Sequence, residues 1–123
     1  DVMDKELKLY DAEYRFACIV WENEPVQSGE LTKLCERELG WKRTTTYTVL
    51  KKLCTRGILQ NEGSIVTALV KQEQVQQYES RTVMEKSFGG SLPKFITAFL
   101  TGKKLTEKEA EEIKSLIDRY KGV

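Results

Sequence analysis

The stretch from Trp41 to Val70 constrains this chain most, because its apolar period changes there once. Thr46, Val49, Leu50 and Leu53 recur at helical spacing and share the inward face of a helix. Gly57 stops that helix. Ile58-Leu59 and Ile65-Val66-Thr67-Ala68-Leu69 then read as β-prone segments on either side of a turn cluster, Asn61-Glu62-Gly63-Ser64. A helix followed directly by a small hairpin leaves few architectures open.

The flanking segments narrow the choice. Asp11-Ala12-Glu13 opens a helix with an N-cap and an early acid, Phe16, Ile19 and Val20 form its core stripe, and Pro25 ends it by about Glu24. Ser28 caps a second helix whose buried face holds Leu31, Leu34 and Cys35, and Gly40 stops it. Beyond the hairpin, Lys71 to Phe88 is a long polar helix ended by Gly89-Gly90. A fifth helix starts at Ser91-Leu92-Pro93 and carries Leu92, Phe95, Ile96, Phe99 and Leu100 as its apolar positions. Thr106-Glu107-Lys108-Glu109 is a capping box for the last helix, striped by Ile113, Leu116, Ile117 and Tyr120. Three helices, a hairpin and three more helices make a mainly α chain with a small β-hairpin wing. The first four elements follow the winged helix-turn-helix order. The pattern splits near Val70 into a winged-helix DNA-binding head, 1–70, and a helical dimerisation tail, 71–123. A tail of about 50 residues is too short to bury a core of its own. Its stripes (Leu92, Phe95, Ile96, Phe99, Leu100, Ile113, Leu116, Ile117) are expected to pack against a second copy.

Composition removes most chemistries. There is no histidine, so no imidazole base exists and the commonest metal ligand is missing. No nucleophile–base pair or phosphate-binding glycine loop is visible, which argues against an enzyme and implies no cofactor. The three cysteines, Cys18, Cys35 and Cys54, are odd in number and far apart, as in reduced cytoplasmic proteins. No apolar run approaches the roughly 20 residues a membrane helix needs, and no secretory signal appears; Met3 reads as the natural start.

Charge is uneven. Lys42, Arg43, Lys51, Lys52 and Arg56 lie between Trp41 and Asn61 without any Asp or Glu, so the rest of the chain is net acidic although the whole is +1. The same helix begins with Thr44, Thr45, Thr46 and Thr48, a poor choice for a purely structural helix because threonine is stiff at χ1. In a helix-turn-helix protein the front of the second motif helix enters the major groove. Short hydroxyl side chains let the helix approach and hydrogen-bond to base edges or phosphates. The expected DNA-binding residues are Lys42, Arg43, Thr44, Thr45, Tyr47, Thr48, Lys51, Lys52 and Arg56 on a recognition helix over about 43–56. Two other readings compete. A winged-helix protein–protein module would not require the acid-free run. A thiol redox or metal sensor would need the three cysteines to meet, yet they fall on the buried stripes of three different helices.

Taken together, LYDAEYRFACIVWENEP, GWKRTTTYTVLKKLCTRGIL and FGGSLPKFITAFLTGKKLTEKEAEEIKSLI resemble the penicillinase repressor family of bacterial winged-helix repressors. Trp41, Thr45, Thr48, Leu50 and Leu53 carry the recognition-helix pattern; Gly89, Gly90, Leu105, Thr106 and Glu109 carry that of the tail. The resemblance implies a cytoplasmic homodimer that binds a palindromic operator in double-stranded DNA and blocks transcription, here of β-lactam resistance genes. In the β-lactam branch, a membrane sensor protease pathway leads to cleavage at an Asn-Phe bond in the dimerisation helix. The matching pair here is Ala98-Phe99, with the Phe kept and the Asn not. The copper branch binds metal through a C-terminal Cys-x-Cys pair, which the ending DRYKGV lacks. A repressor of the same fold answering a different signal is the alternative within the family. The wing, Asn61-Glu62-Gly63-Ser64, offers an acid and no cation, so it implies weak phosphate contacts.

Overall fold

Helix α1 (Asp11–Asn23) begins at the expected cap, Asp11, and is capped one residue earlier: Tyr10 is the extended N-cap, and its N–H donates to Glu13 Oε1 at 2.8 Å. The computed structural model describes residues 6–122, and Met3 lies outside them. α1 buries Phe16, Ala17, Ile19 and Val20 and ends as expected before Pro25, where Glu24 N–H still donates to Val20 O at 2.8 Å. Helix α2 (Ser28–Leu39) starts at Ser28, but its cap is Gln27, whose side chain accepts from Glu30 N–H at 3.0 Å. Gly40 ends α2 in the left-handed region, at φ 70°, where a side chain would be strained. Trp41 then stacks on Phe16 with ring centroids 5.7 Å apart, which pins the entry to α3 (Arg43–Thr55) against α1.

The hairpin pairs β2 (Leu59–Glu62) with β3 (Ile65–Ala68). Glu62 faces Ile65, so the loop is only Gly63-Ser64, both with positive φ (58° and 65°), as a type I′ turn requires. Asn61 and Glu62, which the sequence assigns to the turn, extend β2 instead. A strand that the sequence does not reveal, β1 (Val26–Gln27), adds to the far side of β3 and gives the order β1-β3-β2, all antiparallel. Two residues are too few to show an alternation. The architecture is mainly helical with a small three-stranded sheet, as the winged-helix reading expects.

The chain divides into two compact units, one up to Arg81 and one from Thr82. The first unit builds its core from Phe16, Leu31, Leu50, Leu53, Ile58, Leu59 and Val66, together with Leu7 and Leu9 from the segment before α1. It also takes the first turns of α4 (Gln72–Phe88): Val75 is fully buried, Trp21 Nε1–H donates to Val70 O at 3.0 Å, and Gln72 Nε2–H donates to Tyr14 Oη at 3.2 Å. The second unit contains the rest of α4, α5 (Leu92–Leu100) and α6 (Glu107–Tyr120). Ser91 caps α5, and Thr106 with Glu109 forms the expected capping box on α6. Phe88, Phe95 and Phe99 make a chain of ring contacts at 5.3 and 6.1 Å. Neither α5 nor α6 holds a buried residue, and Leu92, Phe99 and Ile117 are each more than half exposed.

Leu53→Ala, at a fully buried site, should destabilise the first unit by about 2–5 kcal/mol in chemical denaturation. Leu69→Ala, at a site 53% exposed, should change it by less than about 1 kcal/mol. Equal effects would contradict this assignment of the core.

Candidate nucleic-acid interface

Helix α3 has two faces because Thr46, Leu50 and Leu53 turn fully inward and Val49 lies half-buried beside them. The opposite face puts Thr44, Thr45, Thr48, Lys51 and Thr55 in solvent, with Lys42 and Arg43 exposed at its start. The first turn contains no acid and no side chain caps it, so its N–H groups and the positive end of the helix dipole stay open to an anion. The Thr48 hydroxyl donates to Thr44 O at 2.9 Å, which anchors the side chain and leaves its oxygen lone pairs to accept from outside. Tyr47 is half-buried: its hydroxyl donates to Ser28 Oγ at 3.3 Å, tying α3 to the start of α2, and the Arg43 guanidinium stands 5.4 Å from its ring centroid. Among the described residues, neither Lys42 nor Lys51 has a carboxylate partner.

Lys52 and Arg56 differ. Their common partner is Glu13 of α1, a buried carboxylate with 7% of its side chain exposed: Lys52 Nζ lies 3.0 Å from Oε2 and Arg56 Nη1 lies 3.7 Å from Oε1. Arg56 Nη2 also donates to Lys8 O at 2.6 Å and to Glu6 O at 3.4 Å, clasping the segment that carries Leu7 and Leu9 into the core. Burial by itself would raise the pKa of Glu13. The Tyr10 N–H, the Lys52 ammonium and the Arg56 guanidinium together overcome that and hold it below its ordinary value of 4.5. In the sequence Glu13 reads only as an early helix acid, and its pairing across 39 and 43 residues of chain leaves no local signal.

The thiols are built as small apolar groups. Cys35 is fully buried beside Thr46, and burial pushes it up to about 11. Cys18 and Cys54 are half-buried and also raised, chiefly by burial. Tyr47, Leu50, Lys51, Cys54 and Asn61 line a hollow of about 350 Å³ between α3 and β2. At the hairpin, Glu62 accepts from Gln60 Nε2–H at 2.7 Å, which places an acid and no cation beside the turn. Among the described residues no cluster of His, Cys, Asp or Glu could hold a metal ion, and no helix is long and apolar enough to cross a membrane. In the second unit, Leu92, Ile96, Phe99, Ile113, Leu116 and Ile117 are exposed and Phe95 and Leu100 half-buried; Ala98 and Phe99 both face solvent on α5.

Comparison with known proteins points the same way as this geometry. A family model described as "Penicillinase repressor" matches residues 9–119. The penicillinase repressor of Bacillus licheniformis is 22% identical over 123 residues, which cover 97% of this chain and 96% of that protein. The penicillinase repressor of Staphylococcus aureus is 19% identical over 119 residues, 94% of each chain.

The lowered pKa of Glu13 has a definite sign. Its stabilisation is fully present above the unfolded value near 4.5 and is lost as pH falls through the folded value. At neutral pH, Glu13→Gln should cost about 1–2 kcal/mol, less than breaking a fully enclosed pair because Lys52 is 57% exposed. Thermal unfolding from pH 7 down to about pH 3 should show the gap between the two proteins closing. A gap independent of pH would mean that the carboxylate charge is not what stabilises.

Proposed function

We propose that this chain, which belongs to the penicillinase repressor family, is a homodimeric transcriptional repressor that holds a palindromic operator through α3 and controls β-lactam resistance genes. The observation that carries this reading is the exposed, acid-free face of α3, with threonines at its front and Lys42, Arg43 and Lys51 exposed beside them. Thr44, Thr45, Tyr47 and Thr48 discriminate bases; a threonine hydroxyl reaches base edges and its methyl packs on a thymine methyl. Lys42, Arg43 and Lys51 hold phosphates, with Lys52 and Arg56 at the rear of the same helix. The function is binding, not catalysis.

A two-fold operator calls for two heads, and the apolar stripes of α5 and α6 supply the reason for pairing. Leu92, Phe99, Ile113, Leu116 and Ile117 stay in water on a single chain, a face a second copy would cover. Joined heads bind far more tightly than separate ones because the second contact becomes intramolecular. Induction through a membrane sensor protease pathway would cut α5 at Ala98-Phe99 and detach most of that apolar surface. The alanine, where the β-lactam branch has asparagine, favours a signal other than that cut.

Three variants test the reading. Thr45→Ala should shrink the gap between operator and random DNA by about 1–3 kcal/mol; an unchanged ratio would displace the reading face. Lys51→Ala should weaken both DNAs alike and flatten the salt dependence by about one unit of slope. Phe99→Asp should give monomers in ultracentrifugation and weaken operator binding. A wild type that is monomeric at micromolar concentration would refute the dimer. Failure to bind heparin at low salt would favour a protein–protein module instead.

A further inference from the structure

We infer that Glu13 restrains sequence-independent DNA binding: its buried carboxylate occupies Lys52, so that this lysine is withheld from DNA phosphates. The inference rests on the reading of α3 as the DNA-binding helix, and the experiment below separates the two. Of the five cations between Trp41 and Asn61, Lys42 and Lys51 have no carboxylate partner among the described residues, and Arg43 meets only the ring of Tyr47. Lys52 and Arg56 share one carboxylate.

The two do not share it equally. Arg56 is largely enclosed, 27% exposed, and its second nitrogen is committed to the carbonyls of Glu6 and Lys8. It stays with the segment before α1 whatever happens to Glu13. Lys52, the residue directly after Lys51, is 57% exposed; its ammonium group lies 3.0 Å from one carboxylate oxygen and 5.9 Å from the centre of the Tyr10 ring. A phosphate approaching α3 therefore competes with Glu13 for this one ammonium group.

That competition is weighted toward Glu13. The carboxylate is already desolvated and is held in place by the Tyr10 N–H at 2.8 Å, so keeping Lys52 needs no reorganisation. A phosphate would have to give up water and counterions to take the lysine from it. The basic run thus presents fewer working phosphate contacts than its composition suggests. Phosphate contacts carry no sequence information. Withholding one lowers the background affinity for random DNA while the threonine contacts to bases stay intact.

The test is the salt dependence of binding to random duplex DNA, measured for the full chain and for Glu13→Gln. Glutamine keeps the acceptor for the Tyr10 N–H and removes the charge. Released Lys52 should raise random-DNA affinity about five- to tenfold near 0.1 M salt and steepen the logarithmic salt slope by about 0.9, the contribution of one phosphate contact. Lys52→Gln should change the slope by less than about half a unit in the wild type and by nearly a full unit in the Glu13→Gln background. A residue that only holds the fold together would lower affinity on substitution and leave the slope alone; that result overturns the inference, as does a full-unit loss from Lys52→Gln alone. Should Glu13→Gln fail to melt cooperatively, the Lys52→Gln slope decides by itself. Absence of any salt-dependent DNA binding in the wild type would remove the DNA-binding reading, and this inference with it.

Discussion

Leu50 and Leu53 keep no more than 2% of their surface in water, while Thr48 and Lys51, less than a turn away, are exposed. This division of α3 is the constraint to which the first unit answers. Burying the inner face requires a floor, which Phe16, Leu31, Ile58, Leu59 and Val66 supply from two helices and the hairpin. Keeping the outer face in water requires that nothing else in the unit need it. Tyr47 to Ser28 and Trp41 on Phe16 fix the front of the helix, where the proposed base-reading threonines sit. The threonines cost some helix propensity, and packing on the inner face offsets it.

Electrostatics fixes the rear of the same helix by different means. Two adjacent-turn cations without a local acid would repel each other and the positive end of α1. One carboxylate from α1 solves both problems, because it also caps that helix through the Tyr10 N–H. The arrangement works only while Glu13 is ionised, which its three donors ensure at neutral pH. The same carboxylate therefore serves α1 and two cations of the basic run.

Much of this was legible in the sequence. All six helices follow from the spacing of apolar residues and their stops, since glycine and proline announce helix ends by backbone sterics alone. The inward set of α3 and the exposed stripes of α5 and α6 follow from the same period. Local detail was less accessible. The first two caps sit on Tyr10 and Gln27, next to the better-suited Asp11 and Ser28, because tertiary packing buries Ser28 and Glu13 pairs back to Tyr10 N–H. Strand β1 has two residues and no period to read. The Glu13 cluster was out of reach, because an acid at the third position of a helix looks the same whether its partners are local or far along the chain. The sequence shows Lys52 and Arg56 as part of a uniform basic run; only the fold distinguishes them from Lys51.

In the proposed function the front of α3 reads sequence on behalf of a pair of identical heads. Selection of random duplex DNA by the purified protein, followed by sequencing, puts this to the test in one experiment. The expected result is enrichment of a two-fold symmetric site whose half-sites lie about one helical turn, roughly 10 base pairs, or a multiple of it apart, with the pattern blurred by Thr45→Ala. Enrichment of no sequence, or of a single asymmetric site by a protein that stays monomeric, would contradict it.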